Sequence, residues 1–196
     1  MTTIYVPYND LKSEFIRILL KNGFTPEKAL KCASIFAGNS LDGVNSHGIN
    51  RFPRFISYIQ KGYIDVRAEP TLVHQAGAVE QWNGNLGPGP LNALMATERA
   101  MQLAGEFGMG LVGLANTNHW MRGGLYGWQA ARHGYVFIGW TNTIANMPAW
   151  GAKDAHLGNN PFVIAVQSGK DAIDLDYARS LYSYGKMEAF ANEGQK

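Results

Sequence analysis

LNALMATERAMQLAGEFGMGLVGLA, residues 91–115, decides the fold. Within it Gly108, Gly110 and Gly113 match the G-x-G-x-x-G spacing of dinucleotide-binding folds letter for letter. That spacing works only where a strand runs into the glycines and a helix runs out, because the pyrophosphate rests on the helix N-terminus. Here the order is reversed. Leu94, Met95, Met101 and Leu103 make residues 91–107 an amphipathic helix, and the glycines lead into an apolar run, Leu111-Val112-Gly113-Leu114-Ala115. Gly108 therefore reads as the residue that ends a helix, and the run after it as a buried strand. The stretch argues against a Rossmann unit.

Outward from this stretch the pattern alternates. Residues 79–83, 110–115 and 135–141 read as strands, and 91–107 and 124–133 as helices, which is the texture of an α/β layer fold. The N-terminal side is helical instead. Asn9 or Asp10 is placed to cap a helix to about Asn22, with Leu11, Phe15, Ile18 and Leu19 on its apolar side and Gly23 at its end. Thr25-Pro26-Glu27 supplies a cap and a first-turn proline for a second helix to about Asn39. Phe52, Phe55, Ile56 and Ile59 give residues 49–61 the spacing of a third, starting near Gly48. The break over 62–70 divides the chain into a helical region, 1–66, and an α/β region, 67–196. Residues 142–160 show no evident element, and long loops in compact domains are usually functional or disordered.

Two clusters carry chemistry. Ser46-His47-Gly48-Ile49-Asn50-Arg51 sets a proton carrier and an anion clamp four positions apart, where a loop enters the third helix. A histidine at a helix N-terminus is biased towards its neutral form, and an arginine beside it can hold a carboxylate by two parallel hydrogen bonds. The pair suits a small 2-oxo or 2-hydroxy acid. On spacing alone, a capping segment with a surface histidine and arginine explains it equally well. Asn118-His119-Trp120-Met121-Arg122-Gly123-Gly124 follows the strand after Gly110 and precedes a helix, where α/β proteins build sites. Alone, His119 reads as readily as a structural histidine. Trp120 adjoins it and offers a wall for a flat ring.

Composition bounds the remaining classes. A formal charge of +2 on 196 residues, with acids and bases interspersed, shows no basic patch for nucleic acid. Cys32 is alone, so no internal disulfide forms, which fits a reducing cytosol. No basic segment followed by an apolar core opens the chain, and no apolar run reaches membrane-spanning length. The five histidines lack metal-ligand spacing, and no G-x-S-x-G elbow is present, so neither a metal site nor a serine hydrolase is expected.

SHGINRFPRF at 46–55, NHWMRGG at 118–124 with YGWQAA after it, WTNTIANMPAWGAK at 140–153 and LGNNPF at 157–162 resemble, in this order, the type 2 malate/L-lactate dehydrogenase-like family. The likeness runs from about Leu11 to the last residue and is towards the members that reduce 2,3-diketo-L-gulonate. It implies a non-Rossmann α/β fold, an N-terminal helical region followed by a three-layer α/β/α mixed sheet, in a cytoplasmic homodimer. It further implies an NAD(P)H-dependent reductase of a small 2-oxo acid, with NAD(H) or NADP(H) as cofactor. The alternative substrates are malate, lactate and ureidoglycolate. His47 takes the family's proton-donor position, with His119 as a second acid/base candidate. Ser46, Arg51, Asn118 and Met147 fall on the substrate side. Trp120 and the run Ala172, Ile173, Asp174, Leu175, Asp176, Tyr177 and Ala178 fall on the cofactor side, with the loop after Trp140 and the block around Gly158 beside them. The chain departs from the family pattern at Asp174, Tyr177 and Arg179. It also reads as the N-terminal portion of a family member, incomplete at its C-terminal end. The expectation is then uncovered sheet edges, a tendency to aggregate and no turnover from the isolated chain. A catalytically inactive remnant or partner-binding subunit is the alternative function.

Overall fold

The structure is a computed structural model that describes residues 4–178, Ser180 and Gly194. The helix-like run expected at 184–191, and Arg179, lie outside the described residues. The chain divides between Arg122 and Gly123 into two compact units. The change of texture at 66/67 falls inside the first unit, where β-structure and helices share one contact network.

In the first unit, α1 (Tyr8–Lys21) begins ahead of the expected Asn9 or Asp10. Pro7 supplies the reason: its carbonyl accepts from the amides of Asp10 and Leu11, both at 3.1 Å, so the first turn closes on the proline. Asp10 then lies inside the first turn, where a negative charge suits the helix dipole. α2 (Pro26–Leu41) starts as its sequence indicates, with Thr25 Oγ1 accepting from the Lys28 amide at 3.3 Å. α3 spans Phe52–Gln60. Phe15, Phe36, Phe52 and Phe55 form the centre of the core, with the Phe15 and Phe52 rings stacked at 4.0 Å. Ala29, Cys32 and Ala33 are fully buried on the inner side of α2. Their small volume lets the backbones approach and leaves room for the four rings.

β1 (Thr71–Ala76) pairs antiparallel with β2 (Val79–Asn83), and β2 pairs parallel with β3 (Leu111–Ala115). The parallel pair needs a crossover, and α4 (Gly89–Phe107) supplies it. Gly108 ends α4 in the left-handed conformation, φ 80°, as the helix-then-strand order requires. Gly110 is needed for a different reason, since a Cβ there would run into the α4 backbone at Ala100 and Ala104. β1 escapes sequence reading because every residue in it is exposed, so no in/out alternation marks it.

Glu80 on β2 is fully buried and held by Arg99 of α4 through contacts of 2.7 to 3.1 Å, with the Trp82 indole donating at 2.8 Å. Arg99, opposed by desolvation and helped by Trp82, holds the Glu80 carboxyl below the usual carboxylate range. The folded pKa lies below the unfolded value of about 4.3. The stabilisation is therefore complete above that value and is lost as pH falls through the folded one. Unfolding midpoints of the wild type and Glu80→Gln are expected to differ at neutral pH and to converge below about pH 4. A gap that widens in acid overturns the sign.

The second unit holds α5 (Gly124–Arg132), β4 (Phe137–Trp140), β5 (Met147–Pro148), β6 (Ala155–Leu157), β7 (Phe162–Ser168) and β8 (Asp171–Tyr177). Its main sheet has the order β4-β7-β8, all antiparallel. α5 covers one face, with Gly127 set against Val163 and Ala165 of β7. The opposite face is apolar and open: Ile138, Trp140, Ile173 and Leu175 each keep more than half their surface exposed. Residues 142–160 are not a bare loop. β5 and β6 pair across it as a short ribbon, with Met147 opposite Leu157.

The α/β class, the mixed strand pairing and the non-Rossmann connectivity agree with the sequence reading. Among the described residues the strands form three separate sheets. No helix of the described residues is long and apolar enough to cross a membrane.

Candidate functional site

The SHG segment is not the first turn of a helix, as its spacing implies, but a 3-10 turn, Asn45–His47, that stands ahead of α3. Arg51 is the residue that caps α3, so the helix starts four positions later than Gly48. Gly48 causes the delay. It lies so close to α2 that a Cβ would meet the Ser40 hydroxyl and, at 2.8 and 3.0 Å, the Ser40 amide nitrogen and the Phe36 carbonyl. The α2 end then grips the segment on both sides. Ser40 Oγ accepts from the Ile49 amide at 2.8 Å, and the buried Asn39 donates through Nδ2 to the His47 carbonyl at 3.0 Å. Ser46 Oγ lies 3.0 Å from His47 Nδ1, and Arg51 Nε donates to the Ser46 carbonyl at 3.4 Å.

The second segment leaves β3 through Asn116, at φ 50°, and turns again at Met121, at φ 70°. Its shape is fixed by its neighbours. Asn118 Nδ2 is shared among the carbonyls of Tyr63, Leu86 and Gly87 at 3.2, 3.1 and 3.3 Å. Gly89, the first residue of α4, lies directly against the carbonyls of Asn118 and His119. Met121 sends its side chain into the helical core, and Arg122 pairs with Asp42 at 2.6 Å. The Met121 amide donates to His119 Nδ1 at 2.9 Å.

These constraints bring the two histidines together, with ring centroids 5.6 Å apart and planes inclined at 36°. The His119 imidazole is pushed down to about 3, by the protein mass around it first and then by the positive charges of His47 and Arg51. His119 still keeps part of its surface open to solvent, which tempers both effects and leaves their downward direction. Both causes favour the neutral form of the His119 imidazole. Ser46, His47, Arg51 and His119 thus form one cluster. Asn118 spends its amide nitrogen on backbone carbonyls, and Trp120 lies half-buried next to His119. Asn39, Ser40 and Gly89, which position the cluster, carry no local motif. A polar Asn-Ser pair closing a buried helix is the one signal that could have found the first two.

The expected cofactor residues lie in the second unit on β8 and just after it. Seven consecutive positions cannot all face one ligand, because a strand alternates its side chains. Asp174 and Asp176 point towards α5: Asp176 Oδ2 accepts from the Gly124 amide at 2.7 Å, and Asp174 packs against Gly124 and Gly127. Ala172 shares that face by alternation, while Ile173, Leu175 and Tyr177 lie on the other. Asp174 is half-buried on a largely exposed strand. Ala178 follows the strand, and Met147 sits on the β5-β6 ribbon.

Tyr177 also lines a cavity of about 200 Å³, with Trp140 and Phe162 as the other aromatic walls and Thr141, Asn142 and Asn160 as polar members. The Trp140 and Phe162 rings lie 19° from parallel at 6.5 Å. Flat walls edged by two side-chain amides fit a planar heteroaromatic ring that carries a carboxamide. The chain's own residues thus suit a nicotinamide nucleotide, at three segments that the family likeness singled out.

A family model described as malate/L-lactate dehydrogenase matches residues 6–196. The 2,3-diketo-L-gulonate reductase of Pasteurella multocida is 49% identical over 191 residues, which cover 97% of this chain and 57% of that protein. Malate dehydrogenase from Entamoeba histolytica is similar in fold, with a TM-score of 0.94 and 29% identity over 98% of this chain and 54% of that one. Sulfolactate dehydrogenase from Methanocaldococcus jannaschii gives 0.90 and 31% over 98% and 56%. The chain spans a little over half the length of the curated relatives it matches. With the helix-then-strand glycines, the paired histidines and a match across nearly all its residues, the chain belongs to the malate/L-lactate dehydrogenase family.

Proposed function

We propose that the chain forms the substrate-side part of an oxidoreductase that reduces the keto group of a small 2-oxo acid with NADH or NADPH. The observation that carries this reading is the cluster of His47, His119 and Arg51, pinned by α2 on one side and by Gly89 and Asn118 on the other. The nicotinamide, when bound, supplies the hydride. His47 gives the proton to the carbonyl oxygen as negative charge develops there, a step typically worth about 10²–10⁴-fold. Arg51 holds the acid end of the substrate and so fixes the carbonyl for attack. The aromatic cavity of the second unit has the flat walls and amide edge to hold a carboxamide-bearing ring.

The named relatives favour 2,3-diketo-L-gulonate or a related sugar acid as substrate. Malate, lactate and ureidoglycolate are the competitors in a substrate screen. The family likeness adds homodimeric assembly in the cytoplasm, which sedimentation of the purified chain and fractionation of cells check.

The deciding experiment titrates the chain with NADH by fluorescence and with oxamate, a 2-oxo acid mimic, by calorimetry. Saturable binding of both supports the reductase. A folded sample that binds neither is the inactive remnant instead. Arg51→Lys keeps the charge and loses the planar fork. It is expected to weaken oxamate about 10–100-fold, the worth of a charged hydrogen-bond pair, while NADH affinity stays put. Equal losses for both ligands count against the clamp.

A further inference from the structure

We propose that His119 is locked as the neutral imidazole with its hydrogen on Nε2, and that it serves as a fixed hydrogen-bond donor to the substrate oxygen, leaving His47 alone to carry the proton. The ligand in this proposal rests on the reductase reading; the tautomer rests on geometry alone.

The two rings differ in what touches Nδ1. His119 Nδ1 accepts from the Met121 amide at 2.9 Å. A backbone N–H only donates, so Nδ1 must present its lone pair and the ring hydrogen sits on Nε2. Charging the ring would place a second hydrogen on Nδ1, facing the Met121 hydrogen, and the bond would be lost. The chain cannot easily turn away to relieve this. Met121 is held at φ 70° with its side chain buried in the helical core, and Gly89 presses on the carbonyls of Asn118 and His119.

His47 meets a different partner. Its Nδ1 lies 3.0 Å from Ser46 Oγ, and a hydroxyl can donate or accept. The Ser46 hydroxyl therefore keeps its bond whether His47 is neutral or charged. From the SHG segment Arg51 and, when protonated, His47 act on His119. Arg122, further along its own loop, is paired with Asp42. These charges oppose a further positive group at His119.

With their centroids 5.6 Å apart, the two rings flank one space, and the substrate oxygen is placed between them. In the reduction, the C–H bond forms at the carbonyl carbon as hydride arrives, and the C=O π pair moves to oxygen. His119 Nε2–H donates to that oxygen throughout without releasing its hydrogen. The N–H bond that breaks is on His47, whose proton becomes the product hydroxyl. A donor that is already oriented costs no reorganisation at the moment of reaction.

The test is histidine ¹⁵N NMR of the 196-residue chain from about pH 5 to 9, with His47→Gln and His119→Gln for assignment. His119 is expected to show a bare Nδ1 and a protonated Nε2 at every pH, while His47 titrates. A His119 that titrates in this window, or carries its hydrogen on Nδ1, overturns the lock. Adding oxamate is expected to move the His119 Nε2–H resonance and leave Nδ1 bare. Oxamate that binds and shifts His47 but not Nε2 of His119 overturns the donor role. Absence of any oxamate binding removes the 2-oxo acid reading and the donor role with it, and leaves the lock to stand on the pH titration.

Discussion

Phe36→Ala is expected to lower the stability of the first unit by about 3–5 kcal/mol, the range for removing a buried phenylalanine ring. Phe36 is fully buried and touches three other rings, with Phe52 and Phe55 each at 5.1 Å and Phe15 at 6.3 Å. Deleting it removes the shared partner of α1 and α3 on the inner side of α2. The neighbours are aromatic and pinned, so the site cannot collapse to fill the void, which places the loss at the upper end of such changes. Net stabilities of whole domains are about 5–15 kcal/mol, so a large share would go with one side chain. Denaturant unfolding followed by circular dichroism measures it. Phe36→Leu, which keeps most of the volume, is expected to cost less than half as much; equal costs would show that packing volume is not what matters here.

Gly89→Ala carries the second large effect, and its sign opposes simple propensity. Alanine in a helix is favoured over glycine by about 1 kcal/mol. At position 89 the new methyl would instead strike the carbonyls of Asn118 and His119, which are backbone atoms and cannot swing aside. A net loss of about 1–3 kcal/mol is expected, together with displacement of the His119 loop. A shift of this kind can cost about 10²-fold in a site that depends on orientation, so oxamate affinity is expected to fall by that order. Gly38→Ala is the control, since a Cβ there meets nothing within 4 Å. It is expected to be neutral or stabilising by up to about 1 kcal/mol. If Gly89→Ala raises stability as the control does, the close approach is not a constraint on the loop.

The legibility of the fold follows the strength of local signals. Thr25-Pro26 and Gly108 can be placed because each terminates a helix by a local mechanism, a side-chain cap and a left-handed residue. The order of α4 and β3 around the glycines is enough to reject a Rossmann unit. β1 and the β5-β6 ribbon are not legible, since their residues are held by pairing across the chain and not by a buried face. The start of α3 escapes for a related reason: the contact that delays it is between Gly48 and α2, and no window around residue 48 contains it.

The candidate site divides along the same line. Residue type and family likeness point to His47, Arg51 and His119, and the structure places the two histidines side by side. The pull of His119 towards its neutral form is not readable, because it comes from the Met121 amide and from charges carried by another segment. The run 172–178 reads as one surface, yet pairing with β7 and the approach of α5 split it into two faces.

Cys32 is the chain's lone cysteine and lies sealed in the helical core, where burial pushes its thiol far up. Thiolate is the reactive form, so a thiol reagent in solution meets nothing to attack while α1, α2 and α3 stay together. Each labelled molecule is then a record of one opening of that bundle. The chain carries its own clock for local unfolding, with no probe to be added and no second sulfur to confuse the count.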